Sequence, residues 1–205
     1  RFLASLAYEM CLKRNQQEIS RREFEEFLKA YADRYNLERQ QVSDFVREIE
    51  RTGVIDIDDV VNFRHRTFLE YFAAFHIYDR REEFPNLDTY ITDIYFDQDW
   101  GDVAFYYVGL KREISVPLLD KIFSKQHGGI TDDLYKLLTG RLLQAGWNSP
   151  AATLRHGISK AIEHVPSLRD QILSITETAH RPIPRITADF IVMLMSDAAF
   201  SSGLL

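Results

Sequence analysis

The chain has 205 residues, 45% of them hydrophobic and 27% charged, which is enough to bury a sizeable core as one large domain or two small ones. A formal net charge of -6 argues against general affinity for nucleic acid or an anionic membrane, and residues 1–80, with 13 Lys and Arg against 15 Asp and Glu, are not basic either. A single cysteine excludes an intrachain disulfide framework and suits a reducing compartment; with no apolar run of about 18 residues and no signal-peptide pattern, a soluble cytoplasmic chain is expected.

Phe2, Leu3, Leu6, Ala7 and Met10 mark one face of a first helix that fades into the polar stretch 13–17. Cys11 falls on that helix's apolar side without a partner base in view, so buried packing is expected of it rather than nucleophilic chemistry. A second helix is announced by Ser20 and Glu23, spaced as a capping box, with Ile19 placed to pack on Phe24 as a hydrophobic staple; together these are worth on the order of 1–2 kcal/mol. Phe24, Phe27, Leu28 and Tyr31 give its inward face. A third helix is predicted over about 38–51, with Val42, Phe45, Val46 and Ile49 inward and Gly53 as its left-handed stop.

Two β-branched and aromatic runs, 54–57 and 60–64, flank the pair Asp58 and Asp59, which predicts a hairpin. Thr67 and Glu70 stand in the capping relation at the start of a further helix, along which Phe68, Tyr71, Phe72, Phe75 and Tyr78 recur as a broad aromatic face. Three helices, a hairpin and a closing helix make up the plan of a winged-helix domain over residues 1–80.

Gly53-Val54-Ile55, followed by Phe63-Arg64-His65-Arg66-Thr67-Phe68-Leu69-Glu70-Tyr71-Phe72-Ala73-Ala74, resembles the signature that closes the winged-helix domain of NACHT-type STAND NTPases. Leu3 to Met10 is similar to the first helix of that domain. The likeness covers residues 1–80 and departs at Leu69, where the family usually has Gln. It implies an ATPase core upstream, ATP and ADP as the nucleotides of the full-length protein, and a non-catalytic role for this segment. The segment would pack on the core in the ADP state and swing away when ATP binds. A helical region behind it would sense a ligand or protein trigger, and a homo-oligomer would then carry a defence or signalling response.

His65 is the candidate site residue. It precedes a helix N-terminus, where free N–H groups and the helix dipole favour an anion. Alternation along the second strand places it with Val61 and Phe63 on the core side. Two readings stand side by side. One is a buried histidine bonded to a backbone carbonyl. The other, implied by the resemblance, is contact with the β-phosphate of ADP. Arg64 and Arg66 are read as surface charges.

The stretch 81–86 is charged and broken by Pro85, and the domain boundary is placed there, leaving 81–205 as a helical array. Helical patterns run through Trp100, Val103, Tyr106, Tyr107 and Leu110; through Leu118, Leu119, Ile122 and Phe123; and through Leu134, Leu137, Leu138 and Leu142, with Gly146 as a stop. Ser149 and Pro150 look like a cap and first-turn proline for a helix carrying Leu154, Ile158 and Ile162, which Val165-Pro166 ends. Leu168, Ile172 and Ile175 form the next, and after Pro182-Ile183-Pro184 a last one carries Ile186, Phe190 and Leu194. Helix starts recur roughly every 15 to 19 residues, the spacing of a solenoid-like array, without a repeating residue pattern. The expected fold is therefore mainly α: a winged-helix domain followed by an irregular helical array.

The chain has no phosphate-loop motif, no H-E-x-x-H and no cysteine pair, and His76, His127, His156, His164 and His180 lack ligand-like spacing, so neither an enzyme nor a metal site is expected. Asp97, Asp99 and Asp102 read as solvated acids at a helix start, and His127-Gly128-Gly129 as a turn. The chain opens with Arg1 already inside a helical pattern and is expected to be a piece of something longer. Two alternatives remain. A DNA-binding winged helix has the acidic wing Asp56, Asp58 and Asp59 against it. A helical-repeat scaffold would use the hairpin only as a cap.

Overall fold

The structure, a computed structural model, describes residues 1–125 and 130–170. Within them the chain is mainly helical, with a three-stranded antiparallel sheet. In chain order the elements are α1 (Phe2–Tyr8), β1 (Glu18–Ser20), α2 (Arg21–Arg34), α3 (Arg39–Thr52), β2 (Ile55–Ile57), β3 (Val60–Phe63) and α4 (Arg66–Asp79). They continue as α5 (Leu87–Tyr95), α6 (Gly101–Lys111), α7 (Val116–Ser124), α8 (Ile130–Ala145) and α9 (Ala151–Glu163). Two compact units result: Arg1–Pro85 with Asp97–Leu110, and Asn86–Phe96 with the described residues from Lys111 on.

In the first unit α1 runs on into a π-helical turn, Glu9–Lys13, which the left-handed Asn15 (φ 54°) terminates. Cys11 is buried there, as its place on the apolar side predicts, and burial pushes its thiol up to about 12. Phe2 sits at the centre of an aromatic cluster, edge-on to Phe24, Phe27, Tyr31 and Phe45 with ring centroids 5.0–5.9 Å away. The predicted capping box forms: Ser20 Oγ accepts from Glu23 N, and the Glu23 carboxylate accepts from Ser20 N at 2.9 Å. Gly53 closes α3 in the left-handed conformation at φ 65°.

The sheet has the order β1-β3-β2, with Ile19 opposite Val61 on one side and Ile57 opposite Val61 on the other. Ile19, Ile55, Val61 and Phe63 are its buried side chains. Strand β1 is not predicted by the residues, because three positions are too few for the polar–apolar–polar order of Glu18, Ile19 and Ser20 to mark a strand and Ser20 doubles as the cap of α2.

Helix α4 differs from expectation at its start. It begins at Arg66 with His65 as its N-cap residue and no side-chain cap, so the Thr67–Glu70 box does not form; Glu70 instead accepts from Arg66 Nε at 2.7 Å. Its buried face is not the aromatic one. Leu69, Ala73, Ala74 and Ile77 are buried, whereas Phe68 and Tyr71 are exposed and Phe72, Phe75 and Tyr78 are only half-buried. Helix α1 packs on α4 with Ala4, Ala7, Ala73 and Ala74 buried, and a ring contact between the two helices is made by Tyr8 and His76.

Helix α6 starts as expected from an acidic turn, with Asp97 Oδ1 accepting from Asp99 N and Trp100 N, and it buries Val103, Ala104, Tyr107 and Val108. Trp100 Nε1 donates to Asn15 Oδ1 at 2.5 Å, tying this segment to the end of the π-helical turn.

In the second unit α5 packs on α7, α7 on α9 and α8 on α9. Helix α5 has no counterpart among the predicted helices. Helix α7 is capped by Ser115, whose Oγ accepts from Leu118 N, with Pro117 in the first turn. Gly146 ends α8 where predicted, and packing explains the residue: a Cβ there would lie 3.0 Å from Ile114 N. Ser149 does not cap α9; Pro150 holds that position, and Ser149 Oγ accepts from Ile114 N and donates to the Gly146 carbonyl. Asp133 accepts from His164 Nδ1 at 2.9 Å and from Ser167 Oγ at 2.7 Å, pinning α8 to the residues after α9. The His127-Gly128-Gly129 turn, His180 and the helical patterns past residue 170 lie outside the described residues. No described helix is long and apolar enough to cross a membrane.

Candidate functional site

Strand β3 ends at Phe63, and Arg64 still reaches back to the partner strand through its N–H to the Val54 carbonyl at 3.0 Å. The chain then bends at Arg64 and His65 and enters α4. His65 has extended backbone (φ -130°, ψ 136°), and its carbonyl accepts from Phe68 N at 2.9 Å, the start of the helical ladder.

His65 is exposed, its ring 5.6 Å from that of Phe68. The expectation that it faces the core therefore fails. Alternation holds only inside a strand, and β3 stops two residues earlier, so the bend turns the imidazole outward. The buried, carbonyl-bonded reading falls with it.

The neighbouring cations Arg64 and Arg66 are exposed, and each is paired with an acid. Arg64 Nε donates to Asp56 Oδ1 at 2.8 Å on the sheet, and Arg66 Nε donates to the buried Glu70 with its guanidinium 5.0 Å over the Trp100 ring. Exposed beside them is the His65 imidazole, at the start of a 14-residue helix that carries no side-chain cap and no acidic residue in its first turn. Such an arrangement favours an anionic group, since the first-turn N–H groups and the helix dipole act in the same direction.

Two structural features escaped the residue patterns. The Arg66–Glu70 pair was signalled by its i,i+4 spacing, and only the competing Thr67–Glu70 box obscured it. The second is a cleft of about 420 Å³ bounded by α1 with its π-helical turn, by α2, and by the end of α4. Nothing local in the sequence marks it, because Ser5 and His76, which line it together, are far apart in the chain.

No protein-family model, no curated protein sequence and no solved structure matches this chain.

Proposed function

We propose that this chain is a non-catalytic regulatory segment of a NACHT-like STAND NTPase, in which His65 contacts the β-phosphate of ADP and holds the inactive state. The exposed His65 at the uncapped start of α4 is the observation that carries this reading. The winged-helix assignment is supported by the element order α1-β1-α2-α3-β2-β3-α4 and the sheet order β1-β3-β2. The packed helices α5, α7, α8 and α9 support a helical sensor or scaffold region behind it.

In this reading the ATPase core belongs to another part of the full-length protein, and the segment acts as a two-state latch. Contacts made only in the ADP state, His65 among them, set the closed population, and ATP shifts it toward an open, homo-oligomeric form. DNA recognition is disfavoured by the exposed acids Asp58 and Asp59 at the hairpin tip and by the mixed charge of α3, where Arg47 is already paired with Asp44 at 3.6 Å.

The test replaces His65 with Leu in the full-length protein and measures co-purifying ADP, ADP release and basal activity. Faster ADP release with raised basal activity is expected. Unchanged ADP retention together with unchanged activity removes His65 from the nucleotide site.

A further inference from the structure

The cleft between α1, α2 and the end of α4 has a composition that the latch reading does not use. Its size falls in the range of small-molecule sites, about 300–1,000 Å³. Its walls are aromatic. Tyr8 stacks on His76 with centroids 4.4 Å apart and planes 12° from parallel, and Phe84 meets Tyr8 edge-on at 5.8 Å. Phe27 and Tyr31 face the cleft from α2.

The rim brings together three cations and two carboxylates. Lys13 pairs with Glu9 at 3.1 Å and Arg80 with Glu83 at 3.4 Å, so each acid is matched within its own segment. Arg34, from the last turn of α2, is held over the Tyr35 ring at 5.9 Å, a weak contact at an exposed site. It is the cation able to turn toward a ligand at least cost. His76 adds no charge at neutral pH, because burial and the nearby Arg80 push it down to about 4, and its Nδ1 lies 3.2 Å from Ser5 Oγ. The rim thus carries one positive charge in excess over aromatic walls.

We propose that this cleft binds a small planar aromatic molecule bearing a single anionic group, with the ring between the aromatic walls and the anion on Arg34. The proposal stands apart from the His65 reading, since the cleft lies toward the opposite end of α4 from that residue.

Two dyes test it on the whole chain: anilinonaphthalene sulfonate, and phenylnaphthylamine, which has the same rings without the sulfonate. Saturable one-to-one binding of the sulfonate is expected, with the uncharged parent at least about tenfold weaker, the scale of one charge-assisted hydrogen bond. Arg34→Gln should weaken the sulfonate by about tenfold and leave the parent unchanged. Ala30→Trp, which fills the cleft from an exposed position, should weaken both. Amide NMR shifts of the unmodified chain give a readout independent of any variant and should cluster at Ser5, Tyr8, Arg34, His76 and Arg80. Shifts elsewhere, equal affinity for the two dyes, or affinity unmoved by both substitutions would overturn the assignment.

Discussion

Arg66 donates through Nε to Glu70 across 2.7 Å, one helical turn away, and lays the same guanidinium over the Trp100 ring at 5.0 Å. The Glu70 side chain is 4% exposed and that of Arg66 43%, so the acid is deep and its partner reaches solvent. A buried carboxylate is tolerated only when a cation or donors replace water. The pair thereby fastens the start of α4 to the segment that opens α6, and Trp100 passes the connection on to Asn15.

Removing the cation should cost more than neutralising the acid. Arg66→Ala is expected to lower unfolding stability by about 2–3 kcal/mol, from one charge-assisted hydrogen bond plus the ring contact, and Glu70→Gln by about 1 kcal/mol, since the amide keeps a hydrogen-bonding oxygen without a buried charge. Urea unfolding midpoints measure both. Equal losses for the two variants would show that charge burial is not the reason for the pair.

Replacing His65 separates function from folding. Because its side chain is exposed and gives no cap, His65→Leu should change stability by less than about 0.5 kcal/mol. Thermal unfolding of the wild-type and variant chains checks this. A large loss would return His65 to a structural role and undercut the nucleotide reading.

Acid should weaken the first unit through His76. Burial, then Arg80, hold its folded pKa at about 4, below the ordinary value for histidine, with Lys13 acting the same way and Glu83 and Asp79 opposing. The folded state thus resists the proton that the unfolded state accepts. The stability tied to the neutral ring is complete above about pH 6.5 and is lost as pH falls toward about 4, a change of about 1–2 kcal/mol once solvent screening is allowed for. His76→Phe, which keeps a ring against Tyr8, should flatten stability over that window. An identical acid limb in the variant would assign the titration elsewhere.

Gly53 supplies a backbone test. At φ 65° a side chain is strained even though the nearest atom to an added Cβ is Arg64 Nη1 at 3.5 Å. Gly53→Ala is therefore expected to cost about 1 kcal/mol, and Gly53→Asn less, because Asn tolerates the left-handed region. Denaturation midpoints rank the three.

Local signals were legible wherever one residue's chemistry decides the geometry. Ser20 with Glu23 specifies the start of α2, Gly53 the end of α3, and Asp97 the turn into α6; each acts within a few residues of itself. Position along the chain placed His65 before a helix, but not its direction. That depended on β3 ending at Phe63, which pairs with Ile55, the first residue of β2.

The sequence by itself determined a mainly helical chain, the cap of α2 and the stop of α3, the hairpin and a histidine at a helix start, because propensity, caps and periodicity are properties of neighbouring residues. Only the tertiary structure decided that Ala4 and Ala7 are buried with Ala73 and Ala74 where α1 packs on α4, that Arg66 lies over the Trp100 ring, and that Ser5 and His76 share a cleft. Close packing rewards fit between surfaces brought together from far along the chain, and no window of consecutive residues contains both halves of such a contact.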